Sequence, residues 1–398
     1  MKIIYTLIFL SFFGLCANAQ WQHTSGPAGY GGSNVYSLLA HGTDLFAGTQ
    51  EEIWLTHDSG STWILDTAGF SVPHNWYFGI SEFCVMGNTL IALVSAHKIY
   101  RSEINVNYWS QVGEINYFYH GGYFAVIGSN LFAGGYGGTG LLVSADTGRN
   151  WTPVVSTGLT TNWIDDLAVS GTDLYAATIE GVFVSVNNGV TWNRAGLDGL
   201  IVTNLIARGD TLYARAQGKG LCLSTNNGLT WDVIYPDPYI NTDITILVEG
   251  KNIFIGTQFT GVLLSTNYGV SWTNVSGGLA DSTINALAIV GNNLFAGSLF
   301  SGVYKASIND LIQFSMNLEM QQIMVYPNPF TEKLNCAIKD KEPSEIILYD
   351  IASRKTLQQE FTTAVSLNTG RLAKGIYLYE LRNKNGVIKK GKVIKDRE

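Results

Sequence analysis

Four cysteines, eight prolines and six histidines are all that the 398 residues contain. Cys16 sits in an apolar leader, so Cys84, Cys222 and Cys336 remain, an odd number at unrelated positions. Neither a disulfide framework nor a zinc site is expected from them, and the thiols read as free and buried. Charge is thin as well: Asp, Glu, Lys and Arg make up 14% of the chain. Residues 20–324 carry 22 acidic side chains against 9 basic ones, which argues against nucleic acid as a partner. Past the leader no apolar run reaches the ~18 residues a membrane span needs. A phosphate-binding loop and a nucleophile elbow are missing too, and no cofactor or metal is expected.

The leader itself is well marked. Lys2 precedes an apolar run over residues 3–15 that closes on Ala17-Asn18-Ala19. That pattern predicts a secretory signal over residues 1–19, cleaved before Gln20. The run is too short to anchor the chain, and Leu15 stands where lipidation of Cys16 would need a small residue.

Glycine and aromatic residues are plentiful, and both recur in register. An eight-residue phrase appears at 56–63 (THDSGSTW), 144–151 (SADTGRNW), 185–192 (SVNNGVTW), 224–231 (STNNGLTW) and 265–272 (STNYGVSW). From Trp151 onward the tryptophans fall 41, 39 and 41 residues apart. Such a period, with four short strands per unit, marks propeller blades. The third residue of each copy (Asp58, Asp146, Asn187, Asn226, Asn267) is expected to hydrogen-bond the backbone two residues on. Gly60, Gly148, Gly189, Gly228 and Gly269 supply a positive φ, and Trp63, Trp151, Trp192, Trp231 and Trp272 pack back over the turn.

These residues resemble the Asp-box (BNR) repeat, S-x-D-x-G-x-T-W. Sialidases, sortilin-type receptors, xyloglucan-cleaving glycosidases and photosystem-assembly propellers share it. Asn in three of the five copies makes the same turn. The resemblance implies a structural element that lies away from the active face and carries no activity.

A second phrase counts the blades. A two-residue turn leading into a strand begins at Gly42, Gly87, Gly128, Gly171, Gly209, Gly250 and Gly291. Seven copies predict seven blades over residues 20–309. The second blade keeps only Ser and Trp of the eight-residue turn (102–109, SEINVNYW), and the seventh ends at Asn309 with no tryptophan. Trp21 and the residues after it look like the missing outer strand. Placed there, they close the ring and remove the sheet edges that invite aggregation. The expected fold class is all-β: a seven-bladed β-propeller followed by a small C-terminal β-sandwich.

Residues 310–324 break the period and read as a linker. Residues 325–398 reverse the charge, with 14 basic side chains against 9 acidic, and form a separate domain. Strands are expected at 345–350, 375–382 and 387–394. The segments Tyr326-Pro327-Asn328-Pro329-Phe330, Leu348-Tyr349-Asp350, Gly375-Ile376-Tyr377 and Lys389-Lys390-Gly391-Lys392 resemble the type IX secretion C-terminal sorting domain. Ser353 departs from it, standing where that family usually has Gly. The resemblance implies the type IX machinery as a partner, with Pro327, Asn328, Pro329, Gly375, Tyr377 and Lys390 as matching residues. It also implies a route through the periplasm to a secreted or outer-surface location.

Ligands of propellers sit on the face opposite the eight-residue turns. There the loops become aromatic: Phe70, His74, Trp76, Tyr77 and Phe78, then Tyr117, Phe118, Tyr119 and His120, then Trp163, and later Tyr235 and Tyr239. Trp76, Tyr77, Tyr119 and Trp163 are candidate stacking residues, since aromatic faces suit sugar rings. The alternative is that such rings pack their own loops. Glu82, Asp165, Asp166, Asp243 and Asp281 gather near the starts of innermost strands, where two carboxylates across a bond could hydrolyse a glycoside. Solvated channel mouths also attract acids. A sialidase would need three arginines converging on a carboxylate. Residues 20–309 hold five arginines; Arg149 lies in a turn, and Arg194 is expected on an outer strand, on the wrong side. Two readings follow: a non-enzymatic binding module for a polysaccharide or glycoprotein, and, as the alternative, a glycoside hydrolase.

Overall fold

Two-residue turns and small side chains set the blade. At Gly42, Gly87, Gly128, Gly171, Gly209, Gly250 and Gly291 φ lies between 58° and 63°, as the first position of a type II′ hairpin turn requires. Each turn joins an innermost strand to a second strand whose residues are almost all buried, as in Asp44–Thr49, Asp173–Thr178 and Asn293–Ser298. The computed structural model describes residues 21–27, 34–70, 79–94, 98–104, 106–114, 123–135, 140–236, 245–321 (backbone only from 317), 323–338, 342–384 and 386–396. Two compact units divide the chain between Ile312 and Gln313.

Among the described residues of the first unit the strands form seven four-stranded antiparallel sheets. Their innermost strands are Val35–His41, Ile80–Met86, Tyr123–Ile127, Ile164–Ser170, Val202–Arg208, Thr245–Glu249 and Ile284–Val290. Each neighbours the next, and the last returns to the first, so the sheets are the blades of a closed β-propeller. Gly48, Gly134, Gly256 and Gly297 let the blades close on one another. A Cβ there would lie 2.5–2.8 Å from Ile80, Ile164, Ile284 and Val35 of the following blade.

The strand that completes the seventh sheet comes from the N-terminus. Gln22–His23 pairs antiparallel with Val303–Ser307, Gln22 opposite Lys305. Trp21 then occupies the place that a turn tryptophan holds in the other blades.

The repeated turns are closed by side chains. Ser185 Oγ donates to Asn187 Oδ1 at 3.0 Å and accepts the Gly189 N–H at 2.9 Å, while Asn187 Oδ1 accepts the Thr191 N–H at 2.8 Å. The third residue therefore reaches four residues on, not two as expected from Asx-turn chemistry. The leading hydroxyl occupies the nearer N–H groups instead. The residue before the glycine also has positive φ: Ser59, Thr147, Asn188, Asn227 and Tyr268, at 55° to 61°. Asp and Asn serve alike because the last bond simply reverses. Thr62 Oγ1 donates to Asp58 Oδ2 at 2.7 Å, whereas Asn187 Nδ2 donates to Thr191 Oγ1 at 2.9 Å.

Each turn delivers a tryptophan whose indole N–H reaches back to the preceding blade. Trp63 donates to Thr24 Oγ1 (3.2 Å), Trp109 to Asp66 Oδ2 (3.1 Å) and Trp192 to Ser156 Oγ (3.3 Å). Trp231 donates to the Ala195 carbonyl (2.9 Å), Trp272 to that of Ile234 (2.8 Å) and Trp21 to that of Val275 (2.7 Å). Trp192 and Trp231 also donate to the Gly189 (2.8 Å) and Gly228 (3.1 Å) carbonyls of their own turns; Trp151 donates in that way to Gly148 (3.0 Å) and stacks on Phe124 at 6.2 Å.

The segment read as a linker is mostly a helix, Ile308–Gln321. Ser307 caps it, its Oγ accepting the Asp310 N–H at 3.3 Å, and Asp310 sits in the first turn where a negative charge is favoured. The second unit pairs a three-stranded sheet with a four-stranded one, the latter built from Lys355–Phe361, Ser344–Asp350, Gly375–Asn383 and Gly386–Lys395. Phe330, Leu334, Cys336, Ile346, Leu348, Tyr377, Tyr379 and Leu381 fill the space between. Asn328 ties the opening segment to the last strand, its Oδ1 accepting the Ile394 N–H at 2.9 Å. Tyr377 Oη donates to the Ala373 carbonyl, and Lys390 pairs with Glu380 at 2.7 Å. Ser353 has φ 60°, the conformation a glycine would take without strain.

Trp21 and Trp192 are each 4% exposed and each anchor one blade to its predecessor. Trp21→Ala should therefore destabilise the propeller as much as Trp192→Ala, by ~3–5 kcal/mol. Denaturant titration of the two variants checks this, and a Trp21→Ala midpoint equal to that of the parent would refute closure by the N-terminal strand.

Candidate functional site

Innermost strands converge on the axis, so their polar side chains line the central channel. Five of them carry a register shift near their start: Val35/Ser37, Ile80/Glu82, Ile164/Asp166, Val202/Asn204 and Ile284/Ala286. A bulge turns the following side chain out of the sheet alternation. In two blades that residue is a carboxylate, and both carboxylates reach sideways to the next blade. Asp166 Oδ2 accepts the Leu205 N–H at 2.7 Å while Oδ1 accepts that of Leu167 at 2.7 Å. Glu82 takes the Phe124 N–H on both oxygens at 3.1 Å. Ser37 and Asn285 make the reverse bond, donating to the Ile80 and Val35 carbonyls at 2.7 and 3.0 Å.

The two acids also share an electrostatic environment. Burial pushes the Asp166 carboxyl up to about 7, against the lowering effect of the Leu205 and Leu167 N–H groups, and the Asp165 charge adds to the rise. Burial likewise lifts Glu82 well above the usual carboxylate range; the Phe124 N–H opposes this, and the charge of Asp166 reinforces it. Both side chains are half-buried.

Of the other expected acids, Asp165 is buried at its bulge. Asp281 belongs to the loop face, not the channel, its oxygens accepting the N–H groups of Thr283 and Phe300 at 2.9 Å each. Asp243 lies outside the described residues, as do Trp76, Tyr77, Tyr119 and the residues of the leader. Trp163 is described and 43% exposed. Phe70 and Tyr235 are packing residues: Phe70 lies 4.5 Å from the Tyr100 ring, and Tyr235 lies 5.4 Å from Trp272. Arg194 was expected on the wrong side but reaches the loop face. It donates to the Glu180 carbonyl at 3.2 Å, pairs with Asp198 at 3.0 Å and lies over the Phe183 ring.

Sequence reasoning passed over Arg215. It stands in the fifth blade at the position where four blades have glycine, and it is 2% exposed, with Nη1 donating to Thr203 Oγ1 at 3.0 Å. The sequence signal was there, GDTLYARA among copies of LFAG. Also overlooked were Phe259 and Phe300, which stand out from short loops of the sixth and seventh blades. Among the described residues no group of three His, Cys, Asp or Glu could hold a metal ion, and no helix is long and apolar enough to cross a membrane.

Asp166 makes stability depend on pH. Below about pH 4 its carboxyl is neutral in folded and unfolded chains alike. From about 4 to 7 the folded state holds the proton and the unfolded state does not, so stability falls as pH rises through that window. Asp58, Asp146 and Glu380, held down to about 2 by hydrogen bonds, act only in more acid solution. Asp166→Asn should therefore gain melting temperature relative to the parent steadily between about pH 4.5 and 7 and level off above that. Parallel curves for the two proteins would show that Asp166 is not buried as described.

Comparison with known proteins agrees with this architecture. Residues 324–396 match the secretion system C-terminal sorting domain, and residues 121–239 match the DUF6242 beta propeller domain. No curated protein matches the sequence. Among solved structures, YCF48 bound to D1 peptide is 14% identical with a TM-score of 0.55, covering 72% of this chain and 96% of its own. An extracellular domain from B. thetaiotaomicron is 12% identical with a TM-score of 0.57; the match covers 96% of this chain but only 59% of that one. The WD40 propeller of Doa1 is 12% identical with a TM-score of 0.54, covering 73% and 97%. At such identities these neighbours share a fold. The sorting tail indicates a secreted or outer-surface protein. The chain is thus a β-propeller, matched over residues 121–239 by the DUF6242 propeller domain, that carries a type IX secretion C-terminal sorting domain over residues 324–396.

Proposed function

We propose that the chain is an exported, non-enzymatic binding module whose loop-bearing face takes a polysaccharide or glycoprotein. One observation carries this reading. The two channel carboxylates best placed for catalysis give all four oxygens to main-chain N–H groups, which makes them inter-blade clamps. The loop face, by contrast, exposes Trp163, and the sequence places Trp76, Tyr77 and Tyr119 on the same face. A half-exposed ring at the rim of a rigid scaffold suits stacking. Because a propeller of this fold is known with a bound peptide, peptides belong in the test panel beside glycans.

Trp163→Ala should weaken binding by ~1–3 kcal/mol, the loss typical of removing one stacking ring, and leave the melting temperature unchanged. Glycan arrays and surface-protein pulldowns measure the first, and thermal shift the second. Lost stability with unchanged binding would return Trp163 to a packing role. The signal over residues 1–19 and the tail together suggest export in two steps. Deleting residues 324–398 should leave a folded propeller in the periplasm, read by cell fractionation, and surface exposure of the truncated chain would contradict the sorting role.

A second reading rests on the raised pair Glu82 and Asp166, since perturbed carboxyls cluster at catalytic sites. It keeps glycoside hydrolysis as the alternative. Hydrolysis that is abolished by Asp166→Asn would favour it over binding alone.

A further inference from the structure

The sixth and seventh blades carry matching loops on the ligand face, Thr257-Gln-Phe259-Thr-Gly261 and Ser298-Leu-Phe300-Ser-Gly302. Both are closed in the same way. Thr257 N donates to the Gly261 carbonyl at 2.9 Å, and Thr257 Oγ1 accepts the Thr260 N–H at 2.8 Å. Ser298 N donates to the Gly302 carbonyl at 2.9 Å, and Ser298 Oγ accepts the Ser301 N–H at 2.9 Å. In each loop the central phenylalanine is pushed into solvent, 74% exposed at Phe259 and 66% at Phe300.

The segment between the blades fixes the two loops relative to each other. Thr283 Oγ1 donates to the Gln258 carbonyl at 2.7 Å, and Thr283 O accepts the Leu299 N–H at 3.0 Å. Asp281 holds the Phe300 N–H. A single exposed ring is ordinary, but two at equivalent places in adjacent blades, each on a braced loop, form a preorganised pair. The described loop of the fifth blade, Ala216-Gln-Gly218-Lys-Gly220, has glycine at that point.

We propose that Phe259 and Phe300 are paired stacking platforms for an uncharged polysaccharide chain. The inference rests on the reading of the loop face as the binding face and names its ligand class. Three features select that class. The rings are flanked in sequence by Gln258, Thr260 and Ser301, neutral groups that bond hydroxyls, and the Asp281 carboxylate beside Phe300 is taken by main-chain N–H groups and would repel an acidic sugar. Residues 20–324, with 22 acids against 9 bases, repel acidic sugars. Platforms repeated from blade to blade suit a ligand that is itself a repeat. Neither loop offers another exposed large apolar side chain to extend the pair into a protein-binding patch.

Native electrophoresis of the full chain in gels containing hydroxyethylcellulose, galactomannan, laminarin or polygalacturonate tests this. Retardation by at least one of the three uncharged polymers is expected, with none by polygalacturonate. Phe259→Ala and Phe300→Ala should each weaken that retardation by roughly 5- to 100-fold, with melting temperatures within ~2 °C of the parent. Equal retardation of the double variant, or retardation by polygalacturonate alone, overturns the pair while leaving a binding module in place. A fall in melting temperature assigns the rings to packing and overturns it as well. Failure of the parent chain to bind any polymer, together with silence toward peptides and surface proteins, removes both this inference and the binding reading beneath it.

Discussion

One donor links six of the seven described blades to the blade before: the indole N–H of the tryptophan that opens the outer strand, with Trp151 of the third blade turned to its own Gly148 instead. Left unsatisfied, such a group costs ~1–3 kcal/mol, so the tryptophan must find an acceptor on the preceding blade or in its own turn. That acceptor lies on or beside the outer strand that the preceding tryptophan opens, as at Thr24, Asp66, Ser156, Ala195, Ile234 and Val275. The interlock can be complete only if the seventh blade has its own tryptophan. Trp21 supplies it from the far end of the chain, and the Thr24 hydroxyl three residues on receives Trp63. Sequence neighbours in the ring are thus bound by local chemistry, while closure depends on a contact across more than 250 residues.

The inner ring repeats the logic with different groups. Ser37, Glu82, Asp166 and Asn285 bond the main chain of the following blade. Using carboxylates there is costly, because burial raises both acids, and a neighbouring charge adds to each, Asp166 to Glu82 and Asp165 to Asp166. The same arrangement explains why they have the protonation behaviour of catalytic acids without the free oxygens of a catalytic pair. A scaffold held at both radii leaves the loop face free to vary, and exposed rings are found there.

Features encoded within a few residues were legible. The turn at 185–192 fixes its own hydrogen bonds, so Asn for Asp at 187 could be read as harmless. Gly at 42 and its six counterparts announced the hairpins. Ser307 and Asp310 formed an equally local helix start, but the broken period drew the reading toward a linker. What depends on distant strands was not legible. Glu82 finds its N–H partner 42 residues away, after a bulge that no single strand pattern reveals. Asp281 does stand near the start of an innermost strand, but what the sequence did not reveal is that its two oxygens are taken by the Thr283 and Phe300 N–H groups. Arg194 likewise followed its strand upward to Glu180, away from the turn that precedes it. Phe259 and Phe300 were obscured because each is a single ring in its loop, without the aromatic clustering seen at 70–78 and 117–120.

The central claim is that the N-terminal strand closes the ring as firmly as any internal blade is closed. Native-state hydrogen exchange tests it residue by residue. The Thr24 N–H donates to the Val303 carbonyl at 2.9 Å, and its counterpart in the fourth blade, the Ala195 N–H, donates to that of Val182 at 2.8 Å. The account predicts that both amides exchange only through global unfolding, with equal protection. Exchange of Thr24 through a local opening, at a free energy well below that of Ala195, would contradict it.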